Sequence, residues 1–386
     1  MALKNYSMMF PTRIEFGEGV IDSIGKEVMA LNAKSVMIVA DKGVIEAGLV
    51  KPVIDALKKE SINYILFDEI VPNPRDYNVE KGCALAKMAG VDVLVAVGGG
   101  SSMDTAKAIG VMLTHGGRIN DWCGENLLER DITPVIAIPT TAGTGSEVTP
   151  FAVITDTVLS EKLNIVDNRV APKVALIDPT TILKLPSEIM AACGIDALTH
   201  AVEAYTCKIA TPHTDAFALY AIELINRNLR EAVDNPNIEN CTGMMLGSTI
   251  AGLAFGFSDT AGVHCMAEAL GGRYDIPHGV ANAMILPTVT RYNIKADIEK
   301  YARVGRIMGV DSSGMSEEKV AYASADIMEK LCNDVGIPKM KGYGNINPDD
   351  FEELSVLAEK NVSTPDNPRE ITSKEFYKLF IKAYNR

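Results

Sequence analysis

Four side chains of metal-ligand type stand out, because the chain has only five histidines and three of them lie in patterned surroundings. Asp196 and His200 are four residues apart in a helix-like segment, so a helix would present both on one face, one turn apart. His264 lies in a second helix-like segment, and His278 follows 14 residues later, at the start of a third. One carboxylate and three imidazoles form a complete ligand set for Fe(II), Zn(II) or a related ion.

The same spacing permits a structural explanation, since an Asp and a His at i, i+4 occur together by chance on many helices. A lone histidine is also more often a core residue than a ligand. The remaining histidines, His115 and His213, lie in loop-like settings and are expected on the surface. The metal site is therefore a hypothesis that depends on the fold.

A glycine-rich loop follows the strand-like run VDVLVAV and precedes a helix-like segment from Thr105 to Leu113. Glycines let a backbone approach a diphosphate, and a helix N-terminus offers free N–H groups and a positive dipole end. The pattern is neither G-x-G-x-x-G nor a P-loop, so a glycine turn that only packs helix against strand stays open as an alternative. The loop reads Gly98, Gly99, Gly100, Ser101, Ser102, Met103 and Asp104.

A second loop, rich in threonine and glycine, follows another strand-like run and reads Thr140, Thr141, Ala142, Gly143, Thr144, Gly145 and Ser146. Its hydroxyls suit ribose, pyrophosphate or a nicotinamide amide, and two such loops together favour a dinucleotide site. Asp41 follows the first clear strand, where a carboxylate would bond ribose hydroxyls and repel a 2′-phosphate. This favours NAD over NADP, although an Asp that only forms the Asp-Lys-Gly turn is the alternative.

The secondary structure that must position these residues differs between the two halves of the chain. From Ala33 to about Pro179, short β-rich runs alternate with helix-like stretches, which is typical of βαβ units and a parallel sheet. In such a sheet, ligands bind at the carboxyl ends of the strands, where both loops fall. After Leu185 and Pro186, helix-like segments follow one another. We expect an α/β domain over 1–185 and an all-helical domain over 186–386. The predicted strands are 36–40, 62–67, 91–97, 135–138 and 174–177, and the predicted helices of the second half are 187–206, 214–232, 241–255, 260–271 and 279–292.

Composition narrows the class of protein. A chain of 386 residues exceeds the size at which one core stops growing, and a net charge of −13 argues against a nucleic-acid partner. No apolar run reaches the roughly 20 residues of a membrane span. The start of the chain does not resemble a signal peptide, so we expect a cytoplasmic protein. The seven cysteines are scattered and lack a C-x-x-C pair, which favours reduced thiols.

Four segments, in this order, resemble the motifs of the iron-containing (group III) alcohol dehydrogenases: GGGSSMDTAKAIG, PTTAGTGSEVT, GIDALTHAVEAY and IPHGVANAMILP. The likeness extends from about Phe10 to Tyr384. It implies a Rossmann-like NAD(H) domain, an all-helical metal domain, and reversible oxidation of a small primary alcohol to its aldehyde in the cleft between them. Relatives of this kind are usually dimers or larger homo-oligomers.

The resemblance also implies roles for individual residues. The metal, Fe2+ with Zn2+ as an alternative, would be held by Asp196, His200, His264 and His278. The dinucleotide would contact Gly98, Gly99, Gly100, Ser101, Ser102, Asp104, Thr140, Thr141, Thr144 and Ser146. Three further positions resemble cofactor contacts of the family, namely Asp41, Asn73 and Lys162.

One position departs from the family pattern. A second histidine usually stands four residues after the third ligand, but this chain has Glu268 there. Because that histidine is credited with proton transfer, the change puts the relay in doubt. Glu268 could accept the proton, join the metal's ligands, or reshape the pocket, and we favour the last. With Asp259 nearby in sequence, it predicts a pocket that disfavours anionic substrates and prefers neutral polyols or amino alcohols.

Two alternative hypotheses about the function remain open from the sequence. Zinc enzymes similar to glycerol dehydrogenase or dehydroquinate synthase share the architecture, although the basic lining that a phosphorylated acid needs is not evident. A nucleotide-binding protein without catalysis would also fit the fold, and Glu268 is the one feature that hints at it. The sequence names neither the substrate, nor the direction of the reaction, nor the metal bound in the cell.

Overall fold

A six-stranded parallel sheet forms the first half of the molecule. The computed structural model describes residues 5–158 and 161–386. The strands follow the order β1-β9-β6-β4-β2-β3 and every pair is parallel. This confirms the α/β expectation, and the five predicted strands are found with ends shifted by at most two residues. The six strands are β1 (Arg13–Phe16), β2 (Ser35–Val39), β3 (Asn63–Phe67), β4 (Val93–Gly98), β6 (Val135–Pro139) and β9 (Val174–Ile177).

Among the described residues of this half, five helices cover the sheet. Strand β4 reads VLVAVG and is buried throughout, because a parallel strand with helices on both faces has no side exposed to water. The predicted helix after the glycine loop is longer than expected and begins within the loop, at Gly100. These helices are α1 (Ile24–Ala30), α2 (Lys42–Glu46), α3 (Val50–Lys59), α4 (Asp76–Met88) and α5 (Gly100–His115).

A second, three-stranded sheet was not expected from the sequence. It consists of β5 (Gly124–Glu125), β7 (Phe151–Asp156) and β8 (Glu161–Val166), with β7 and β8 antiparallel. The edge strand β1 was also missed. Strand β7 starts soon after the threonine-rich loop, at Phe151, and β8 carries Lys162 and Asn164 among its apolar residues, so neither run stands out as a strand. The hairpin places Lys162 beside the sheet's carboxyl edge.

The second half of the molecule is helical, as predicted. Its first five helices lie within three residues of their predicted ends, and the first, α6, matches at both. Helix α6 is buried on nearly every face, and apolar residues such as Ile195 and Leu198 are fully enclosed. Burial of each such side chain stabilises the fold by about 1.5–3 kcal/mol. The helices are α6 (Ser187–Thr206), α7 (Pro212–Asp234), α8 (Ile238–Phe255), α9 (Gly262–Tyr274), α10 (His278–Asn293), α11 (Ile298–Ile307), α12 (Glu317–Asp334), α13 (Phe351–Lys360) and α14 (Ser373–Tyr384).

The loops at the sheet's carboxyl edge pack closely against the helical half. A Cβ atom on Gly143 would lie 2.8 Å from Cβ of Cys193 in α6, and one on Gly145 would lie 2.6 Å from Cα of Gly252 in α8. Only glycine fits at these contacts. The threonine-rich loop is therefore held directly against the two helices that border the histidine cluster.

Two further expectations concern the chain as a whole. All seven cysteines are free thiols, as predicted. Within the described ranges, no helix combines the length and the apolar character that crossing a bilayer demands.

Candidate metal centre and cofactor loops

The fold brings together the four residues singled out as metal ligands. One ligand atom from each of Asp196, His200, His264 and His278 lies within 4.8 Å of the others. The first two come from α6, the third from the first turn of α9, and the fourth begins α10. Nε2 of His264 and Nε2 of His278 lie 4.0 and 3.7 Å from Oδ1 of Asp196. The first three residues are buried, and His278 is partly exposed.

The chemistry of the cluster fits a divalent cation. Nε2 of His264 and Nδ1 of His200 are buried and have no hydrogen-bond partner among the described residues. Burial lowers the pKa of His200 to about 3 and that of His264 to about 4, so both rings are neutral and offer lone pairs. Burial alone would raise the pKa of Asp196, but the histidines and Asn282 bring it below its ordinary value. The set presents neutral nitrogens around one carboxylate.

A buried glutamate orients His264 and was missed by the sequence analysis. Oε2 of Glu203 lies 2.5 Å from Nδ1 of His264, and the carboxylate also accepts hydrogen bonds from the backbone N–H groups of Ala261 and Val263 at 3.0 and 2.7 Å. A proton on Nδ1 leaves the lone pair of Nε2 facing the cluster. A signal was present, because Glu203 lies three residues after His200 and seven after Asp196, on the same face of α6.

Two more residues support the ligands. Asn282, one turn after His278 in α10, donates from Nδ2 to Oδ1 of Asp196 at 2.7 Å and lies 3.1 Å from Nε2 of His278. The ring of Phe255 stacks on that of His200, with centroids 4.3 Å apart and planes 14° apart. Neither residue was predicted, since an amide and a phenyl ring carry no metal signature in a sequence.

The glycine loop and the threonine loop touch each other at the carboxyl ends of β4 and β6. A Cβ on Gly98 would lie 2.3 Å from Oγ of Ser102, one on Gly99 3.1 Å from Oγ1 of Thr141, and one on Gly100 2.9 Å from Cγ2 of Thr144. The glycines therefore serve packing as well as any ligand. Oγ of Ser102 is buried in the first turn of α5 and has no hydrogen-bond partner among the described residues. The N-termini of helices commonly bind anions.

Asp104 and Ser146 link the two loops. Oγ of Ser146 donates to Oδ1 of Asp104 at 2.8 Å, and the N–H of Val153 donates to its Oδ2 at 3.2 Å. Lys107, fully buried in α5, donates from Nζ to Oγ of Ser146 at 2.8 Å and to the carbonyl of Phe151 at 2.7 Å. Burial lowers the pKa of Lys107 to about 8. Lys107 was missed, and its only sequence signal is a cation among apolar residues of one helix.

The remaining predicted cofactor residues lie around this edge. Oδ1 of Asp41 accepts from the N–H of Val44 at 3.0 Å and caps α2, as the alternative of a turn-forming Asp predicted. Its Oδ2 lies beside Gly98.

Lys162 and Asn73 form a second group. Nζ of Lys162 donates to Oδ1 of Asn73 at 2.7 Å, and Nδ2 of Asn73 donates to Oδ1 of Asp275 at 2.8 Å. Lys162 and Asn73 thus lie where the sheet half meets the helical half, and their contact with a cofactor stays a prediction.

Glu268 lies outside the four-residue cluster. It follows His264 by one turn of α9, and its Oε2 accepts from Nδ2 of Asn361 at 2.7 Å. Its negative charge raises the pKa of both His264 and Lys162, although burial has the larger and opposite effect on each. No described cation comes within ion-pair distance of this carboxylate.

Asp259 is connected to Glu268 through the segment 361–363. Oγ of Ser363 donates to Oδ1 of Asp259 at 2.9 Å, and the N–H of Ser363 donates to Oδ1 of Asn361 at 3.0 Å. Asn361 is also the residue that holds Glu268. Burial raises the pKa of Asp259 to about 7. The two acids predicted to shape the pocket therefore share one polar network.

Comparison with known proteins gives the class. Residues 11–179 match a sequence model described as iron-containing alcohol dehydrogenase, and residues 190–384 match one described as Fe-containing alcohol dehydrogenase family, C-terminal. Choline dehydrogenase of Bacillus subtilis is 40% identical over 386 residues, which cover 99% of this chain and 96% of that protein.

Solved structures of related enzymes share this fold over nearly the whole chain. A crystal structure of 1,3-propanediol oxidoreductase superposes with a TM-score of 0.96 at 38% identity, covering 98% of this chain and 100% of the other. Sulfoacetaldehyde reductase from Bifidobacterium kashiwanohense, solved in complex with NAD+, gives a TM-score of 0.88 at 29% identity and 99% coverage of both chains.

These matches place the molecule among metal-dependent enzymes that pass hydride between NAD(H) and an alcohol or aldehyde. The chain belongs to the iron-containing alcohol dehydrogenase family. Its cofactors are NAD(H) and a divalent metal of the iron type, as predicted. The readings as a dehydroquinate-synthase-like enzyme and as a non-catalytic nucleotide-binding protein are set aside by the same matches.

Proposed function

We propose that this enzyme interconverts small primary alcohols and their aldehydes at a ferrous ion held by Asp196, His200, His264 and His278. The observation that carries the proposal is the convergence of these four ligand atoms within 4.8 Å, where one buried ring nitrogen each of His200 and His264 has no hydrogen-bond partner among the described residues. Zinc is an alternative occupant, because this ligand set suits it and metal availability decides between the two.

When bound, the metal supplies Lewis acidity to the substrate oxygen, and the nicotinamide supplies or receives the hydride. The protein's own residues prepare this chemistry. Glu203 fixes the orientation of His264, and Asn282 fixes that of Asp196. Buried apolar neighbours such as Phe255 keep water from the inner side of the cluster. His278 is the ligand most open to solvent, so its side of the cluster is where the substrate would enter.

The dinucleotide would lie along the two loops at the sheet's carboxyl edge. The first turn of α5 with its unpartnered Ser102 hydroxyl suits the pyrophosphate, and the Oδ2 atom of Asp41 suits a ribose, which favours NAD over NADP. Asp104 and Ser146 would act mainly by keeping the loops together. The other proposed contacts are Asn73, Gly98, Gly99, Gly100, Ser101, Thr140, Thr141, Thr144 and Lys162.

Glu268 would set the preferred substrate charge. Its carboxylate lies one turn from a metal ligand, is held by a neutral amide, and lacks a direct counter-ion within the described part of the chain. A cation about 5 Å away would gain up to ~3 kcal/mol at an effective dielectric constant of about 20. Solvent at the half-open cleft reduces this figure. Neutral polyols and positively charged amino alcohols are the substrates we propose, and the name of the Bacillus choline dehydrogenase fits this class.

Two isosteric alcohols test the substrate assignment. Choline and 3,3-dimethylbutan-1-ol have the same shape and differ by one positive charge, so the change in their ratio of kcat/KM between the parent enzyme and a Glu268 variant reports the charge preference. We expect a ratio of about ten in favour of choline, and Glu268→Gln should reduce it to about one while keeping an acceptor for Asn361. The Glu359→Gln variant, which alters an exposed acid of α13, serves as control. A preference for 3-hydroxypropionate over 1,3-propanediol would contradict the assignment.

The wider organisation is also part of the proposal. Two domains with a boundary near 185, over 1–185 and 186–386, are supported by the gap between the two family matches. The first match ends at residue 179 and the second begins at residue 190.

A homodimer or larger homo-oligomer is supported by the open edge of β1, where Ile14 is exposed. A cytoplasmic location is supported by the seven free thiols. Sedimentation equilibrium would test the assembly.

A further inference from the structure

A basic cleft of about 470 Å³ lies on the helical half, away from the histidine cluster. Its wall includes Thr288, which follows His278 by ten residues of α10, a distance of about 15 Å along the helix axis. The lining contains five cations and one acid, an unusual density in a chain of net charge −13. The charged residues are Arg291, Lys295, Glu329, Arg369, Lys382 and Arg386.

Part of this positive charge is compensated within the protein. Nη2 of Arg291 donates to Asp326 and, at 2.8 Å, to Oε2 of Glu329. Nε of Arg386 lies 3.6 Å from Oε1 of Glu329, too far for a hydrogen bond. Glu329 is thus shared between two guanidinium groups, and donors in the cleft outnumber acceptors. In keeping with this, Nε and Nη1 of Arg386 are buried without a hydrogen-bond partner in the described chain.

Three cations of the lining have no carboxylate partner among the described residues. Lys295 and Lys382 are exposed and make no ion pair or side-chain hydrogen bond with the part of the chain that the structure describes. Arg369 donates from Nη1 to the carbonyl of Tyr292 at 3.0 Å, and its guanidinium lies 4.0 Å from the centroid of that ring. These contacts fix the position of the Arg369 guanidinium without neutralising it.

The acids at the rim do not cancel this surplus. Glu370 and Glu375 lie close enough to Tyr292 to contribute to its raised pKa, of which burial is the main cause. Glu375, however, accepts a hydrogen bond from Thr372 and lies 3.8 Å from Lys378. Three uncompensated cations from separate segments of the chain therefore converge on one concave surface.

We propose that this cleft binds a small phosphorylated anion. A phosphate group carries about two negative charges and several acceptor oxygens, so it can meet a guanidinium and two ammonium groups at once. A monocarboxylate has too few charges for the three cations. The volume also leaves room for more than one phosphate group, since ligand sites commonly span about 300–1,000 Å³. The proposal is independent of the alcohol substrate and of the residues assigned to the metal.

The test is calorimetric titration of the metal-loaded enzyme with inorganic pyrophosphate at pH 7.5. Saturating NADH keeps the probe from the dinucleotide loops, and the metal content is measured before and after to exclude extraction by the probe. We expect saturable binding of one pyrophosphate per chain. The double variant Lys295→Ala/Lys382→Ala should weaken this binding more than tenfold and keep the turnover of the parent enzyme. Lys374→Ala, an exposed lysine of α14 outside the cleft, should bind like the parent.

Two outcomes would overturn the proposal. One is the lack of saturable binding, and the other is binding that the double variant leaves unchanged. In the second case, a changed sedimenting mass of the double variant would make the basic cleft a contact between copies of this chain. Because both lysines are exposed, a folding defect is not expected, and the thermal midpoint of the variant checks this directly.

Discussion

At the scale of single residues, the cluster depends on groups that hold the ligands as much as on the ligands. Burial keeps the pKa of His200 near 3 and that of His264 near 4, so neither ring carries a proton that a cation would have to displace at neutral pH. Glu203 then selects which nitrogen of His264 faces inward. Partners of this kind raise the basicity of a ligating histidine and fix its ring.

The change Glu203→Gln tests this support. The amide oxygen can still accept from Nδ1 of His264 and from the N–H of Ala261, but the negative charge is lost and the amide NH2 meets the N–H of Val263. We expect metal affinity to fall about 10- to 100-fold, measured by competition with a chelator. Glu188→Gln, an exposed acid at the start of α6, is the control. Unchanged metal affinity in Glu203→Gln would mean that the carboxylate only caps α9.

The sequence singled out the four candidate ligands but not the residues that support them. Asp196, His200, His264 and His278 were predictable because histidine is rare in this chain and its chemistry is specific. Glu203, Asn282 and Lys107 were not, because a lone glutamate, amide or lysine on a helix is usually a solvated residue. Only their burial in the folded protein distinguishes them. Asp104 was predicted as a cofactor contact, and in the structure its carboxylate accepts hydrogen bonds from Ser146 and Val153.

At the scale of elements, close backbone contact sets the position of the cofactor loops. Gly145 has a φ of 62°, and its Cα faces Gly252 of α8 at a distance that leaves no room for a side chain. The loop that carries Thr144 and Ser146 is thereby fixed against the helix whose last residue, Phe255, stacks on His200. The threonine-rich loop thus links the proposed dinucleotide site to the histidine cluster.

Alanine at Gly145 should disturb this contact. We expect a loss of about 2–4 kcal/mol of unfolding free energy, from the left-handed backbone and from overpacking against Gly252. NADH affinity should fall as well, because the loop must shift. Gly48→Ala is a matched control, since Gly48 also has a positive φ, of 80°, but nothing within 4 Å of its added Cβ. Equal losses of stability in the two variants, measured by urea unfolding, would show that the close contact contributes nothing.

Element prediction succeeded where periodicity was long and failed where strands were short. Helix α6 was predicted at both ends, because twenty residues of helical spacing give a strong signal. Strand β1 has four residues at a sheet edge, and β8 alternates with polar side chains beside a site, so local preference could not identify either. Their pairing is decided by distant segments, which a single stretch of sequence does not contain.

At the scale of the whole molecule, the enzyme works only if its two halves present metal and nicotinamide to the same substrate carbon. Polar contacts join the two halves, because Asn73 and Arg75 of the sheet half both donate to Oδ1 of Asp275 in the helical half. Lys162 donates to Asn73, and the charge of Glu268 acts on Lys162. The sequence indicated both sites, but not which loop would face which helix. That relation follows from packing across the interface, as at Gly143 and Gly145.

The most direct test of the account is restoration of activity to the metal-stripped enzyme under anaerobic conditions. NADH oxidation that depends on a short aldehyde should be lost on stripping and return when equimolar Fe(II) is added. The Asp196→Ala variant should bind NADH like the parent, by fluorescence titration, yet regain no turnover with Fe(II) or Zn(II). Full aldehyde reduction by the stripped enzyme, or equal recovery by Asp196→Ala, would contradict the claim that these four residues hold the metal on which catalysis depends.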